Sequence, residues 1–148
     1  MNRLERYMIR RAGAGLLAVG CCLSATAAAA DFDGSTPLVC ASMEAFECDA
    51  GGVGCRAVTP ESIAAPRFVK LDLKKGELIS SRRDQPDKLP PVTHAGGRLI
   101  LQAVIGKERP DNEGLAWTLS INETSGDLVL SAAADEAAFV IFGACTKI

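Results

Sequence analysis

The chain is poor in the groups that most often do chemistry. It has one histidine, one tryptophan and an aromatic content of only 5% in 148 residues. It contains no Gly-x-Ser-x-Gly elbow, no phosphate-cradling glycine loop and no histidine pair at metal-ligand spacing. The signatures of serine hydrolases, nucleotide-binding loops and zinc enzymes are therefore missing. After residue 30 there is no extended run of basic residues, which argues against nucleic acid and anionic lipid as partners. Almost no stretch repeats its apolar residues with a helical period, so helix content should be low. No catalytic residue, cofactor or metal ligand is assigned on this basis.

What is present begins with the first thirty residues, which read as a secretory signal peptide. Arg3, Arg6, Arg10 and Arg11 stand against the single Glu5, Gly13 to Ala25 is uncharged and mostly apolar, and Ala28, Ala29 and Ala30 precede Asp31 as small cleavage-site residues. The apolar stretch is short and alanine-rich, where a membrane-spanning helix needs about 20 strongly apolar residues. The reading is a leader over residues 1–30 and a single β domain over 31–148, periplasmic or secreted. An alternative takes Ala18-Val19-Gly20-Cys21 as an approximate lipobox, with Ala18 where leucine is usual; Cys21 would then be lipidated and the protein membrane-attached. Removing residues 1–30 takes away four of the 16 Lys and Arg and one of the 18 Asp and Glu, which leaves five more acids than bases.

Cysteine usage agrees with export. Cys21 and Cys22 belong to the leader, and Cys40, Cys48, Cys55 and Cys145 remain, an even number suited to an oxidising compartment. Four cysteines allow three pairings. Cys48 and Cys55 flank the glycine-rich turn Asp49-Ala50-Gly51-Gly52-Val53-Gly54, which favours joining these two and leaves Cys40 to reach Cys145. A zinc site is disfavoured, because the spacings lack close Cys-x-x-Cys pairs and His94 is the only histidine.

The apolar pattern has period two almost throughout. Leu115, Trp117, Leu119 and Ile121 alternate with Ala116, Thr118, Ser120 and Asn122, and Leu128 and Leu130 continue after a polar segment ending in Gly126. Val69, Leu71 and Leu73 alternate with Lys70, Asp72 and Lys74 ahead of Lys75-Gly76; Leu99, Leu101, Ala103 and Ile105 follow Gly96-Gly97. Phe139 to Phe142 is apolar on both faces, as for a strand covered from two sides or packed centrally. Thr59-Pro60-Glu61 predicts one short helix, stopped by Pro66. The fold class is all-β: a small antiparallel meander closed as a barrel or folded as a sandwich, the barrel favoured, with two disulfides. Its interior set is Val69, Leu71, Leu99, Leu101, Trp117, Leu119 and Leu128; few aromatics and many small side chains favour a filled core over a ligand cavity.

Two long loops interrupt the meander. Ser80 to Val92 concentrates Arg82, Arg83 and Lys88 with Asp84, Asp87 and three prolines on an otherwise acidic molecule, and is the candidate binding loop. None of its residues is expected to be buried. Gly106 to Gly114 reads as a polar connection. His94 has Asp84 and Asp87 near it in sequence but reads as a strand-end residue rather than a general base. Asp31-Phe32-Asp33-Gly34 starts like a calcium loop without continuing as one, and reads as a flexible N-terminus. Asp135-Glu136 reads as a solvated tip.

Phe46-Glu47-Cys48 with the glycine turn to Cys55, Thr59-Pro60-Glu61, Pro66-Arg67-Phe68, Trp117-Thr118-Leu119 and Phe139-Val140-Ile141-Phe142-Gly143-Ala144-Cys145 resemble an uncharacterised group of small exported proteins of Gram-negative bacteria. That resemblance implies export and a shared cysteine framework, and transfers no activity or site residue. Cys40, Cys145 and the late tryptophan strand also resemble the periplasmic inhibitors of C-type lysozyme, which implies a small antiparallel barrel; the inhibitory loop motif of that family is not recognisable here. Together the residues point to an exported protein that acts by binding rather than catalysis. Its partner is either an envelope protein met by the cationic loop or a small apolar ligand held inside, as in a calycin-like carrier.

Overall fold

The computed structural model describes residues 31–52, 54–83, 85–106 and 114–148. Residues 1–30 with Cys21 and Cys22, Val53, Asp84 and most of the Gly106 to Gly114 connection lie outside the described residues. Ten strands follow one another: β1 (Leu38–Asp49), β2 (Cys55–Val58), β3 (Phe68–Asp72), β4 (Glu77–Ser80), β5 (Asp87–Lys88), β6 (Val92–Ala95), β7 (Arg98–Ile105), β8 (Leu115–Asn122), β9 (Asp127–Ala133) and β10 (Ala137–Lys147). They make one antiparallel sheet in the order β5-β4-β3-β1-β10-β9-β8-β7-β6, with β2 on the second half of β1.

The period-two pattern becomes rows of inward side chains through the strand register. Leu99 lies opposite Ile121, and Ile121 opposite Leu128; one step along, Leu101 faces Leu119 and Leu119 faces Leu130. Because the side-chain period is two, this register puts Leu99, Leu101, Leu119, Ile121, Leu128 and Leu130 on one face. The turns are supplied by glycines in the left-handed region: Gly96 and Gly97 carry φ of 59° and 71° between β6 and β7, the paired positive φ of a tight hairpin turn. Asp72 accepts the Lys75 amide at 3.0 Å and so closes the β3–β4 turn.

β1 changes partner half-way. Residues 38–41 pair with β3 and residues 45–48 with β2, and between them Met43 is an extra residue opposite β10. At this bulge the backbones come so close that a Cβ on Gly143 would collide with the Ala41 carbonyl oxygen, so glycine is required on steric grounds alone. Both disulfides join residues in direct cross-strand register, Cys40 with Cys145 on β1 and β10, and Cys48 with Cys55 on β1 and β2.

The sheet curls into a half-barrel. Its two ends in hydrogen-bond order, β5 and β6, are consecutive in the chain and separated only by Leu89-Pro90-Pro91. No ladder joins them, and the two prolines lack the N–H groups that such a ladder needs. The expected barrel closure by strand pairing is thus not found. The helix predicted from Thr59 is not found either. Residues 60–64 form a hydrogen-bonded turn, in which Ala64 takes φ of 57° and the Ala65 amide bonds the Pro60 carbonyl at 2.8 Å. A left-handed alanine and then Pro66 leave no room for a second turn.

The core occupies one end of the half-barrel. Leu38, Leu71, Leu99, Leu101 and Ile121 are fully buried there, joined by Cys40, Leu89, Leu119, Leu128 and Cys145. The N-terminal segment, expected to be flexible, packs across this end instead. The Phe32 amide bonds the Glu123 carbonyl at 2.8 Å, Phe32 packs against the core, and Gly34 sits close against Leu73 and Leu99. β10 is central in the sheet, between β1 and β9. It is covered on one face only, because Phe142 on the convex side is 42% exposed and meets Phe46 edge to face with centroids 6.1 Å apart.

Candidate functional site: an apolar cavity with a cationic rim

Burial falls steadily from the closed end of the half-barrel to the other. On β7, Leu99 and Leu101 are fully buried whereas Ile105 is 50% exposed; on β8, Ile121 is fully buried and Trp117 only partly. The third inward row explains the change. Ala103 faces Trp117, Trp117 faces Ala132, and Ala132 faces Phe139. Two alanines stand where the row beneath has Leu101 and Leu130, so the side chains no longer fill the space between the curved walls.

The result is an open cavity of about 760 Å³, within the usual size range of small-molecule sites. Its inner part is lined by Cys40, Leu119, Leu128, Leu130 and Ile141, and its walls by Val69, Leu78, Ala103, Trp117 and Phe139. The expectation of a filled interior is therefore corrected for this half of the molecule. The sequence pattern placed Trp117 on the right face; the ring, partly buried, packs against the core and also lines the cavity.

Two loops complete the walls. Ile63, Ala64, Ala65 and Pro66, in the connection between β2 and β3, form one side. Ser42, beside the bulge, holds them: its amide bonds the Arg67 carbonyl at 2.9 Å and its hydroxyl donates to the Pro66 carbonyl at 2.9 Å. Arg67 also donates to the Glu61 carboxylate, and that hydrogen bond holds the Glu61 carboxyl below the usual range and raises the Arg67 guanidinium above its own. The second loop is the candidate binding loop. Arg82, Arg83, Asp87, Lys88 and Pro90 line the mouth, so the structure brings all three candidate cations to one opening. Arg83 makes a two-pronged pair with Asp87, at 2.8 and 2.9 Å. Arg82 and Lys88 make no ion pair among the described residues.

This loop differs from its sequence reading in two respects. Asp87 and Lys88 form the edge strand β5, and Leu89 is buried at 8% exposure with its amide bonded to the Gly76 carbonyl at 2.8 Å. Alternation sets Asp87, opposite Leu78, on the same face as the buried Leu89, and Lys88, opposite Glu77, on the other face of this edge strand.

His94 lies on the outer strand β6, away from the cavity. Its Nδ1 is 2.5 Å from Glu123 Oε1, and not beside Asp87, its neighbour in sequence. Asp33 is near enough for His94 to lower its carboxyl slightly, though the main cause of that lowering is the Ser35 amide it accepts. The group ties the N-terminal segment and the β8–β9 turn to β6. Sequence reasoning missed the 59–67 loop, Ser42 and the two small inward residues Ala103 and Ala132. The only available signal for them was alanine in slots where the period called for bulk.

Comparison of the chain with protein-family models, with curated proteins and with solved structures returned no match.

Proposed function

We propose that this is an exported binding protein whose half-barrel takes up a small, largely apolar molecule, and that it acts by binding rather than catalysis. The observation that carries the reading is the 760 Å³ cavity lined by Leu78, Leu119, Leu130, Trp117, Phe139 and Ile141. Transfer of an apolar ligand from water onto such a surface is favourable by about 25 cal/mol for each Å² covered. The sequence left two classes of partner open, an envelope protein on the Ser80 to Val92 loop and a small apolar ligand inside. Because the loop forms the mouth of the cavity, the two features belong to one site, and the ligand reading uses both. Two intramolecular disulfides are compatible with an oxidising, exported compartment.

The test is a titration with N-phenylnaphthylamine, an uncharged probe that brightens in apolar surroundings. We expect saturable binding at one site, energy transfer from Trp117, and loss of both in Ala103→Phe, which fills the cavity from β7. Absence of saturable binding, or unchanged binding in Ala103→Phe with the fold intact by circular dichroism, overturns the reading.

A further inference from the structure

We infer that the natural occupant is a free, single-chain amphiphile with an anionic headgroup, its aliphatic chain in the cavity and its head held at the mouth by Arg82 and Lys88. The inference rests on the cavity being a ligand site, and adds the polarity and orientation of the ligand. The charged residues among the described lining are Arg82, Arg83, Asp87 and Lys88, three cations and one carboxylate. Asp87 is already engaged on both oxygens by Arg83, and among the described residues Arg82 and Lys88, the latter at the sheet edge, make no ion pair.

The placement stands out against the charge of the whole molecule, which beyond residue 30 holds five more acids than bases. A cationic mouth on an acidic protein favours approach of an anion there over the rest of the surface. Beneath the mouth the chemistry changes at once: Val69, Leu78, Trp117 and Phe139 form the walls, and Leu119 and Leu128 lie at the inner end. A fully polar anion would leave that surface wet, and a fully apolar molecule would leave the cations unused. One chain with one anionic head satisfies both. The two cations differ in what they offer, a planar fork of donors from Arg82 and a mobile point charge from Lys88. Both suit a carboxylate or phosphate whose depth varies with chain length. Arg83 has a different part, since its pair with Asp87 spans the turn that precedes β5 and positions the rim.

The experiment uses the intact, disulfide-bonded protein and three probes with the same chain: dodecanoate, dodecanol and dodecyltrimethylammonium. Binding is read from Trp117 emission and from displacement of N-phenylnaphthylamine. We expect dodecanoate to bind roughly ten-fold more tightly than dodecanol, as for one charge-assisted contact, and the cationic probe to bind most weakly. In the Arg82→Ala, Lys88→Ala double variant the dodecanoate affinity should fall to within about two-fold of dodecanol, with the melting temperature unchanged. Equal affinities for dodecanoate and dodecanol in the parent protein would overturn the anionic headgroup and leave the cavity reading intact. A preference for dodecanoate that survives in the double variant would overturn the assignment to Arg82 and Lys88. Failure of all three probes to bind would overturn the cavity reading and this inference with it.

Discussion

Cys40 and Cys145 face each other across the β1–β10 ladder, 105 residues apart in sequence and both buried in the core. The bridge joins the first strand to the last at the point where the Cys145 amide also bonds the Gly126 carbonyl, 2.9 Å away. It closes nearly the whole domain into one loop, whereas Cys48–Cys55 spans seven residues at an exposed turn. In the chain-entropy view the long loop is worth about 5 kcal/mol and the short one about 2.5. Replacing Cys40 and Cys145 together by alanine should therefore lower stability by about 3–5 kcal/mol, and replacing Cys48 and Cys55 by about 2–3. Urea denaturation of the two double variants checks the order; equal losses would show that the long bridge has no special part in holding the sheet.

The Ser80 to Val92 loop should respond to substitution in two opposite ways. Leu89→Ala removes a buried side chain between the two unpaired sheet ends and should cost about 2–4 kcal/mol. Arg82→Ala, at the exposed rim, should stay within about 0.5 kcal/mol. Thermal denaturation of the two variants separates them, and a neutral Leu89→Ala would mean that the β5–β6 seam carries no packing.

Gly143→Ala should be among the most damaging single-methyl additions, because the new Cβ meets the Ala41 backbone and not a movable side chain. A loss above about 2 kcal/mol is expected, through strain at the β1 bulge. Gly51→Ala is the control: nothing lies within 4 Å of its Cβ position, and its stability should match the parent. Equal stability of both variants would show that the bulge relaxes freely.

Acid should weaken the fold through two identified carboxyls. Asp33 is held below the usual carboxylate range by the Ser35 amide, and Glu61 by the Arg67 guanidinium. A group whose folded pKa is lowered binds fewer protons folded than unfolded, so stability rises with pH through that interval. The contribution is complete above the ordinary carboxylate range and is lost as the pH falls through the lower folded values. Glu61 is exposed and Asp33 only partly covered, so the effect should be small and should shrink with added salt. Asp33→Asn and Glu61→Gln should each flatten the acid limb of a stability–pH curve; identical limbs in parent and variants would remove these carboxyls from the account.

The strands were legible because period two is a local property. Leu115, Trp117, Leu119 and Ile121 declare their shared face without reference to any other part of the chain, and Gly96-Gly97 and Gly126 announce the turns that reverse it. The cysteine pairing was legible for a related reason: the glycine turn brings Cys48 and Cys55 together locally, and Cys40 and Cys145 are what remains. The 60–64 segment was misread because Pro60 suits a helix start, while Ala64 enters the left-handed region and ends the segment as a single turn, with Pro66 and Arg67 bonded to Ser42 of β1.

What the amino-acid order determined by itself was the class of structure: antiparallel, disulfide-joined and turned at its glycines, with one apolar face. Whether that face closed on itself was decided only by the tertiary structure. Ala103 and Ala132 are ordinary small residues in their own strands, and become a cavity only when the register sets them in one row with Trp117 and Phe139 on a curved wall. Arg82 and Lys88 are ordinary loop cations until the sheet curls far enough to set them over that space. Empty volume is a property of side chains from distant strands taken together, and no local pattern encodes a sum over strands that meet only when the sheet curls.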